Sequence, residues 1–326
     1  MNIHLSTIIL YPIGAILLDL LLGDPRWFPH PVRLIGALAT TAEKTSRRFI
    51  RNERLAGLLT LVSLLLITGL SVTFLLRAAT WLHPLAGHLA SVFLLYTTLA
   101  ARDLMKHGKE VLDALRENNL IQARQRVAMI VGRDTSRLDQ AGVSRATVES
   151  VAENMVDGVT APLFYGILAG PLGAMLYKTI NTGDSMFGYK NEKYMKFGWA
   201  PARLDDLANF IPARLTGLLV PPASFILGLN AGKSLKILIR DRKKHTSPNS
   251  GHPEAAVAGA LDIQLGGASR YFGRTVSKPT LGDSHNPVNH HHIRQAIRIM
   301  LMTSALATLA FVTARLLCEM MKFSSL

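Results

Sequence analysis

Two things are scarce in this chain of 326 residues: cysteine and charge. A single cysteine, Cys318, excludes any disulfide within the chain and suits a thiol buried in the last apolar segment. Asp, Glu, Lys and Arg make up only 18% of the residues, against about a quarter in soluble domains. That shortage disfavours a disordered chain, an acidic tail or an ordinary cytosolic enzyme. Acidic residues are the scarcer half, 22 against 36 Lys and Arg, for a net charge of +14. A basic excess fits a nucleic-acid binder or a membrane protein, and the placement of the charges separates the two.

The run 55–76, LAGLLTLVSLLLITGLSVTFLL, carries no charge at all. As a helix rising about 1.5 Å per residue it is long enough for a hydrocarbon core about 30 Å thick. A nucleic-acid partner does not require it. Other apolar runs lie near 5–22, 85–101, 158–180, 215–231 and 299–317, separated by polar loops at 23–54, 102–157, 181–214 and 232–298. The expected fold class is all-α: a polytopic integral membrane protein with about four to six membrane-embedded helical segments, some broken or re-entrant. We expect one membrane-embedded catalytic domain over 1–326. The first run has neither a basic start nor a small-residue cleavage site, so it is expected to be retained rather than removed as a signal peptide.

Basic residues crowd the loops 23–54 and 102–145, which places both on the cytoplasmic side. Lys190, Lys193, Lys196, Arg203 and the group at 233–244 conflict with that orientation if every later run crosses fully. The runs 158–180 and 215–231 are interrupted by Gly170-Pro171 and Pro221-Pro222. Each therefore either dips in and returns or crosses as a kinked span. The first alternative puts all polar loops on the cytoplasmic face of a cell (inner) membrane.

Polar residues collect in four places. The stretch 104–131 reads as two amphipathic helices broken at Glu117-Asn118-Asn119, a basic surface facing lipid headgroups. After a cap at Ser144, Val148, Val151, Ala152, Met155, Val156 and Val159 recur at helical spacing, while Glu149, Ser150, Glu153, Asn154 and Asp157 fill the opposite face. Carboxylates stacked at this spacing repel unless a cation offsets them, and hydrated Mg²⁺ is the economical one. The third place is 181–214: Asp184 follows an apolar run, and a helix through Leu204, Leu207 and Ile211 sets Asp205, Asp206 and Asn209 within one turn. Such oxygen donors suit Mg²⁺ or a protonated amine. The fourth is 243–261, where Pro253 suits the first helical position and Asn249, Ser250 and Gly251 lie where a cap belongs, making an anion site. Ala255, Ala256, Gly259 and Ala260 allow that helix to pack closely. The segment GLNAGKS at 228–234 imitates a phosphate-binding loop but is one residue short and follows no strand. The run His290-His291-His292 lacks the spacing of a metal site.

Six stretches now stand out in order: GDPRWFPHPVRLIG (23–36), GRDTSRLD (132–139), ESVAENMVDG (149–158), NTGDSMFGYKNEKY (181–194), ARLDDLANFIPAR (202–214) and SPNSGHPEAAVAGAL (247–261). Together they resemble adenosylcobinamide-phosphate synthase, the integral-membrane CobD/CbiB family of cobalamin biosynthesis. The resemblance implies ATP-dependent ligation of (R)-1-amino-2-propanol O-2-phosphate, or aminopropanol, to the free propionate of adenosylcobyric acid, with ATP and Mg²⁺ as cofactors. Activation of a carboxylate as an acyl phosphate relies on metal-bridged phosphates and basic clamps, so the lack of a phosphate-binding loop is no objection.

Under that resemblance Asp184, Asp205 and Asp206 are the expected Mg²⁺ ligands, with Glu149, Glu153, Asn154 and Asp157 as a second acidic group or the amine site. Lys190, Arg203 and Arg214 would neutralise phosphates. Asn249, Ser250 and Gly251 would cradle one at a helix start, and Asn181 and Asn209 would bind substrate. Arg133, Asp134, Asp24, His30 and Arg33 would close the site. The lipid bilayer, other membrane enzymes of late cobalamin assembly and a second copy of the chain are the expected partners. Without the resemblance two readings remain open: a Mg²⁺-dependent transferase acting on a lipid diphosphate, and a transporter with broken-helix sites.

Overall fold

The structure, a computed structural model, describes residues 2–25, 27, 30–189, 191–271 and 274–324. Lys190 lies outside the described residues. The chain divides into two compact units: Met1–Ala100, Ala161–Asn209 and Thr308–Leu326 in one, Ala101–Thr160 and Phe210–Ala307 in the other. Both are helical, as the apolar periodicity predicts. Among the described residues four helical stretches are long and apolar enough to cross a membrane, Glu53–Leu82, Pro84–Arg116, Gln140–Phe187 and His290–Lys322, and Thr7–Leu22 and Phe210–Ile226 are shorter apolar helices.

The first unit holds α1 (Asn2–Leu22), α2 (Pro31–Phe49), α3 (Glu53–Leu82), α4 (Pro84–Tyr96), α8 (Ala161–Phe187) and α9 (Trp199–Ala208). Asn52 starts α3 by accepting from the backbone N–H groups of Arg54 and Leu55. Pro84 opens α4, where its missing N–H costs nothing. Ala39, Ala56, Leu64, Phe187 and Phe197 form one buried cluster, and Ile35, Val72, Leu94 and Met175 another.

Helix α8 is the informative element. Ala169 and Gly170 leave helical geometry, and Gly170 takes φ 68°, which glycine alone adopts without strain. The chain folds back there. A Cβ on Gly166 would lie 3.6 Å from that of Ala174, and the rings of Tyr165 and Tyr177 stack with centroids 5.2 Å apart. In a straight helix residues twelve apart would be separated by about 18 Å. The first of the two interrupted runs is therefore a hairpin of half-helices.

The second unit holds α5 (Ala101–Arg116), α6 (Leu120–Val127), α7 (Gln140–Met155), a π turn (Val156–Thr160), α10 (Phe210–Ile226), α11 (Ala231–Asp241), α12 (Gly251–Leu261) and a hairpin of β1 (Leu265–Tyr271) and β2 (Arg274–Leu281). Helix α13 (His290–Ser324) contributes residues to both units. The break between α5 and α6 falls at the expected place: Asn118 is left-handed (φ 55°) and Asn119 caps α6. Helix α12 is buried along its whole length, and its small residues do permit close packing, since a Cβ on Gly259 would come within 2.4 Å of the Lys233 carbonyl oxygen.

Several expectations need correction. Ser144 is not the cap of α7. Asp139 accepts from the Gly142 N–H and starts the helix a turn earlier, while the Ser144 hydroxyl donates back to the Gln140 carbonyl. Pro221-Pro222 does not interrupt α10, which runs helically through both and ends in a left-handed Gly228; packing on α12 overrides the local preference. Pro253 is the third residue of α12 rather than the first. Cys318 is exposed on α13 instead of buried, in a last stretch of the helix where Leu317, Met320 and Met321 are exposed as well. The hairpin β1–β2 sits inside what reads as a polar loop. Its Gly266 and Gly267 have φ 80° and 84° and form a bulge, so the alternation of a strand is absent from the sequence there. The 228–234 segment is a turn leading into the Asn230 cap of α11, with Lys233 paired to Asp262 at 2.6 Å.

Candidate functional site

The second unit contains a small polar cavity of about 120 Å³. Helix α7 supplies Glu149, Ser150 and Glu153, because its apolar side, Val148, Val151, Ala152 and Met155, is fully committed to the core. Arg133, in the turn before α7, pairs with Glu149 and donates to the Ser269 hydroxyl at 3.1 Å. The bulge of the hairpin aims the Gly266 N–H at the other Glu149 oxygen, at 2.7 Å. The start of α12 completes the wall: the Ser250 hydroxyl lies 2.9 Å from a Glu153 oxygen and 3.1 Å from the Ser247 hydroxyl. Gly251 is required here, since a Cβ would meet the Arg242 carbonyl oxygen at 2.4 Å.

Glu254, one turn into α12, is buried behind them, with His245 at 3.7 Å. Burial, and then the charges of Glu153 and Glu149, hold its carboxyl well above the usual carboxylate range. Burial pushes the His245 imidazole down. Lys278 of β2 also lines the cavity. With the Glu254 carboxyl held up, the Glu149 and Glu153 carboxylates face the two cations Arg133 and Lys278 beside the His245 imidazole, a balance of charges that favours a zwitterionic ligand.

The first unit brings together Asn181, Asp205 and Asn209. One buried Asp205 oxygen accepts from the Asn181 amide at 3.4 Å and the other from the Asn209 amide at 3.0 Å. Tyr177 donates to the Asn209 amide oxygen at 2.9 Å, and Tyr165 to the Ala208 carbonyl at 2.8 Å. The turn at Gly170 makes this possible by stacking the two tyrosines under α9. Burial pushes the Asp205 carboxyl up to about 6, the two amide bonds opposing the shift.

The remaining predicted residues are distributed as follows. Asp206 is half-buried and Arg203 exposed on α9; Asp184 lies in the last turn of α8, its carbonyl accepting from the Gly188 N–H at 2.6 Å. His30, buried at the start of α2, faces Asp24 at 3.2 Å, and Arg33 donates to the Pro25 carbonyl at 2.9 Å. Asp134 is exposed beside Arg133. Asn154 bonds back to the Ser150 carbonyl at 2.9 Å. Asp157 falls in the π turn, whose extra residue rotates it off the line of Glu149 and Glu153. Arg214 stacks over the Phe210 ring and donates to Asn249 at 3.3 Å. Among the described residues, no three or more His, Cys, Asp or Glu side chains are grouped to hold a metal ion.

Sequence reasoning missed Glu254, His245, Ser269 and Lys278. Glu254 had a signal, a lone carboxylate in a helix otherwise made of small and apolar residues. Lys278 and Ser269 had none, since the hairpin that carries them was not legible.

A helical membrane protein with buried carboxylates set among amide, hydroxyl and basic groups, in each of two compact units, is the class these features define. The chain belongs to the CobD/CbiB family, whose model, described as CobD/Cbib protein, matches residues 12–300. It is similar to proteins named cobalamin biosynthesis protein CobD. That of Leptospira interrogans is 50% identical over 298 residues, 91% of this chain and 95% of the relative. That of Geobacter metallireducens is 51% identical, covering 88% and 90%, and that of Clostridium perfringens 45%, covering 93% and 96%. No solved structure matches the chain.

Proposed function

We propose that this protein of cobalamin biosynthesis is an ATP-dependent acid–amine ligase, joining aminopropanol phosphate to the free propionate of adenosylcobyric acid to give adenosylcobinamide phosphate. The pathway is the one for which its relatives are named. The reaction is our reading of the site. Its main support is the cavity in which Ser250 meets Glu153 beside the Arg133–Glu149 pair, Glu254 and Lys278.

The small substrate carries an ammonium group and a phosphate. Glu153, exposed to the cavity and held by Ser250, receives the ammonium and accepts its proton, so that the amine nitrogen becomes a nucleophile. Lys278 takes the phosphate, and the Arg133–Glu149 pair fixes the wall. A propionate oxygen attacks the γ-phosphorus of ATP and ADP leaves; the amine nitrogen then attacks the acyl carbon and inorganic phosphate leaves, forming the amide. Protonated Glu254 keeps the cavity from accumulating three negative charges.

Asp205 and Asp206, with Asp184 in the last turn of α8, are the carboxylates we assign to Mg²⁺; the amide oxygens of Asn181 and Asn209 already accept from the Lys178 ammonium at 3.3 Å and the Tyr177 hydroxyl at 2.9 Å. One or two carboxylates suffice when phosphate oxygens fill the other positions. Bound there, Mg²⁺ would neutralise phosphate charge. Arg203 and Lys190 extend the basic complement, His30, Asp24 and Arg33 order the first loop, and the polar loops face the cytoplasm of the inner membrane.

Purified protein in detergent, given adenosylcobyric acid, aminopropanol phosphate, ATP and Mg²⁺, should yield a corrinoid heavier by the aminopropanol phosphate residue in the mass spectrum, with one ADP per product. Product formed without nucleotide, or ATP consumed without product, would refute the ligase reading.

A further inference from the structure

The second unit holds a larger cavity, of about 710 Å³, that the scheme above does not use. Its polar lining is cationic: Arg214 of α10, Arg242 at the end of α11 and Lys243 just beyond. No carboxylate lines it, and among the described residues none of the three has a carboxylate partner. Each guanidinium has five N–H donors. Arg214 commits one nitrogen, to the Phe210 carbonyl at 2.6 Å and to Asn249; Arg242 likewise commits one, to the Ile239 carbonyl at 2.7 Å. The rest of both forks are available to a ligand. His252 also lines the cavity and is pushed down to about 4, by burial and then by the two guanidinium charges, so it adds a neutral ring rather than a fourth cation.

The apolar lining is Leu218, Leu238 and Ile239, each one helical turn from one of the cations. His245 lines this cavity and the carboxylate cavity alike, so the two adjoin within the unit. A volume in the hundreds of Å³, an apolar lining and a few convergent polar groups describe a small-molecule site. The ligand must be anionic, and its charge is set by the count of cations. A phosphodiester headgroup brings one negative charge against three. A polyphosphate brings three or four.

We propose that this cavity binds the triphosphate of a nucleotide on Arg214, Arg242 and Lys243, with the nucleoside against the leucine and isoleucine side chains. The proposal rests on the ligase reading for its nucleotide, and places that nucleotide next to the amine-binding carboxylates through the shared wall at His245.

The test is equilibrium binding of adenylyl imidodiphosphate with Mg²⁺ to the full chain in uncharged phosphatidylcholine nanodiscs. Arg242→Ala with Lys243→Ala should raise Kd by roughly tenfold or more. Arg242→Lys with Lys243→Arg should keep Kd near the wild-type value, which separates lost charge from lost fold. Inorganic triphosphate should displace the analogue. Unchanged Kd in the double alanine variant overturns the site, as does failure of the wild type to bind. Displacement by phosphatidylglycerol but not by triphosphate also overturns it and assigns the cavity to lipid. Binding needs no turnover, so a chain that binds nucleotide here yet makes no amide refutes the ligase reading alone, and one that makes amide with an unaltered KM for ATP in the double alanine variant refutes this site alone.

Discussion

The Ser250 hydroxyl, at the start of α12, lies 2.9 Å from a carboxylate oxygen of Glu153 on α7, ninety-seven residues away in the chain. The contact ties the SPNSG segment to the acidic helix and orients Glu153 towards the cavity. Removing it in Ser250→Ala should leave the fold intact but loosen the carboxylate that receives the ammonium. One hydrogen bond to a charged group is worth about 1.5 kcal/mol or more. The KM for aminopropanol phosphate should therefore rise by about tenfold, with kcat changing much less. An unaltered KM would mean that Glu153 does not hold the amine.

Asp205 gives a prediction with a defined pH window. Its folded-state carboxyl is raised from 3.8 to about 6, mainly by burial. A raised value means the stabilising form is the protonated one: its contribution is complete below the unfolded value and is lost as pH rises through about 6. Asp205→Asn cannot ionise. The stability difference between variant and wild type should therefore shift in favour of the variant by about 2 kcal/mol between pH 4 and pH 8. Thermal unfolding at the two pH values measures it, and a difference that does not depend on pH would refute the buried carboxylate. The same variant should lose ligation, as should Asp206→Asn, if these residues carry Mg²⁺; normal turnover would sink that assignment.

Arg133 and Glu149 form an ion pair with side chains only 11% and 8% exposed. Each single replacement, Arg133→Met or Glu149→Gln, strands a buried partner and should cost about 3 kcal/mol. The double replacement removes both charges together and should cost clearly less than the sum. Glu149 also accepts from the Gly266 N–H at 2.7 Å, so Glu149→Gln retains an acceptor and should be the milder of the two. Strict additivity in denaturant titrations would show that the pair is not coupled.

Periodicity carried much of this architecture. The Asn118–Asn119 break, the apolar side of α7 and the close-packed α12 were all legible because burial imposes a helical repeat on side-chain type. So was the grouping of Asp205 with Asn209, one helical turn apart. Other features depend on contacts that local pattern cannot carry. The Gly170 turn and the Pro221-Pro222 pair look alike as interruptions, yet one reverses the chain and the other lies within a continuous helix, because packing decides what the backbone does. The hairpin was hidden by a glycine bulge, and with it Lys278 and Ser269. Residues of the acidic cavity come from 130–153, 245–254 and 266–278, so its composition depended on tertiary structure.

Two glycines of α3 make opposite predictions from the same helix. By intrinsic propensity alone, glycine to alanine in a helix interior gains about 0.5–1 kcal/mol. At Gly69 the new Cβ would sit 3.6 Å from a Leu176 methyl, an ordinary contact, so Gly69→Ala should be neutral or stabilising by that amount. At Gly57 it would lie 1.8 Å from the Phe197 carbonyl oxygen, which is backbone and cannot swing aside. The segment carrying Phe197 would have to separate from α3, opening the cluster of Ala56, Leu64, Phe187 and Phe197. Gly57→Ala should then cost about 3 kcal/mol or more, as overpacking of a rigid contact does. Thermal midpoints in a common detergent compare the two directly. Equal midpoints would show that the chain around Phe197 yields where close packing says it cannot.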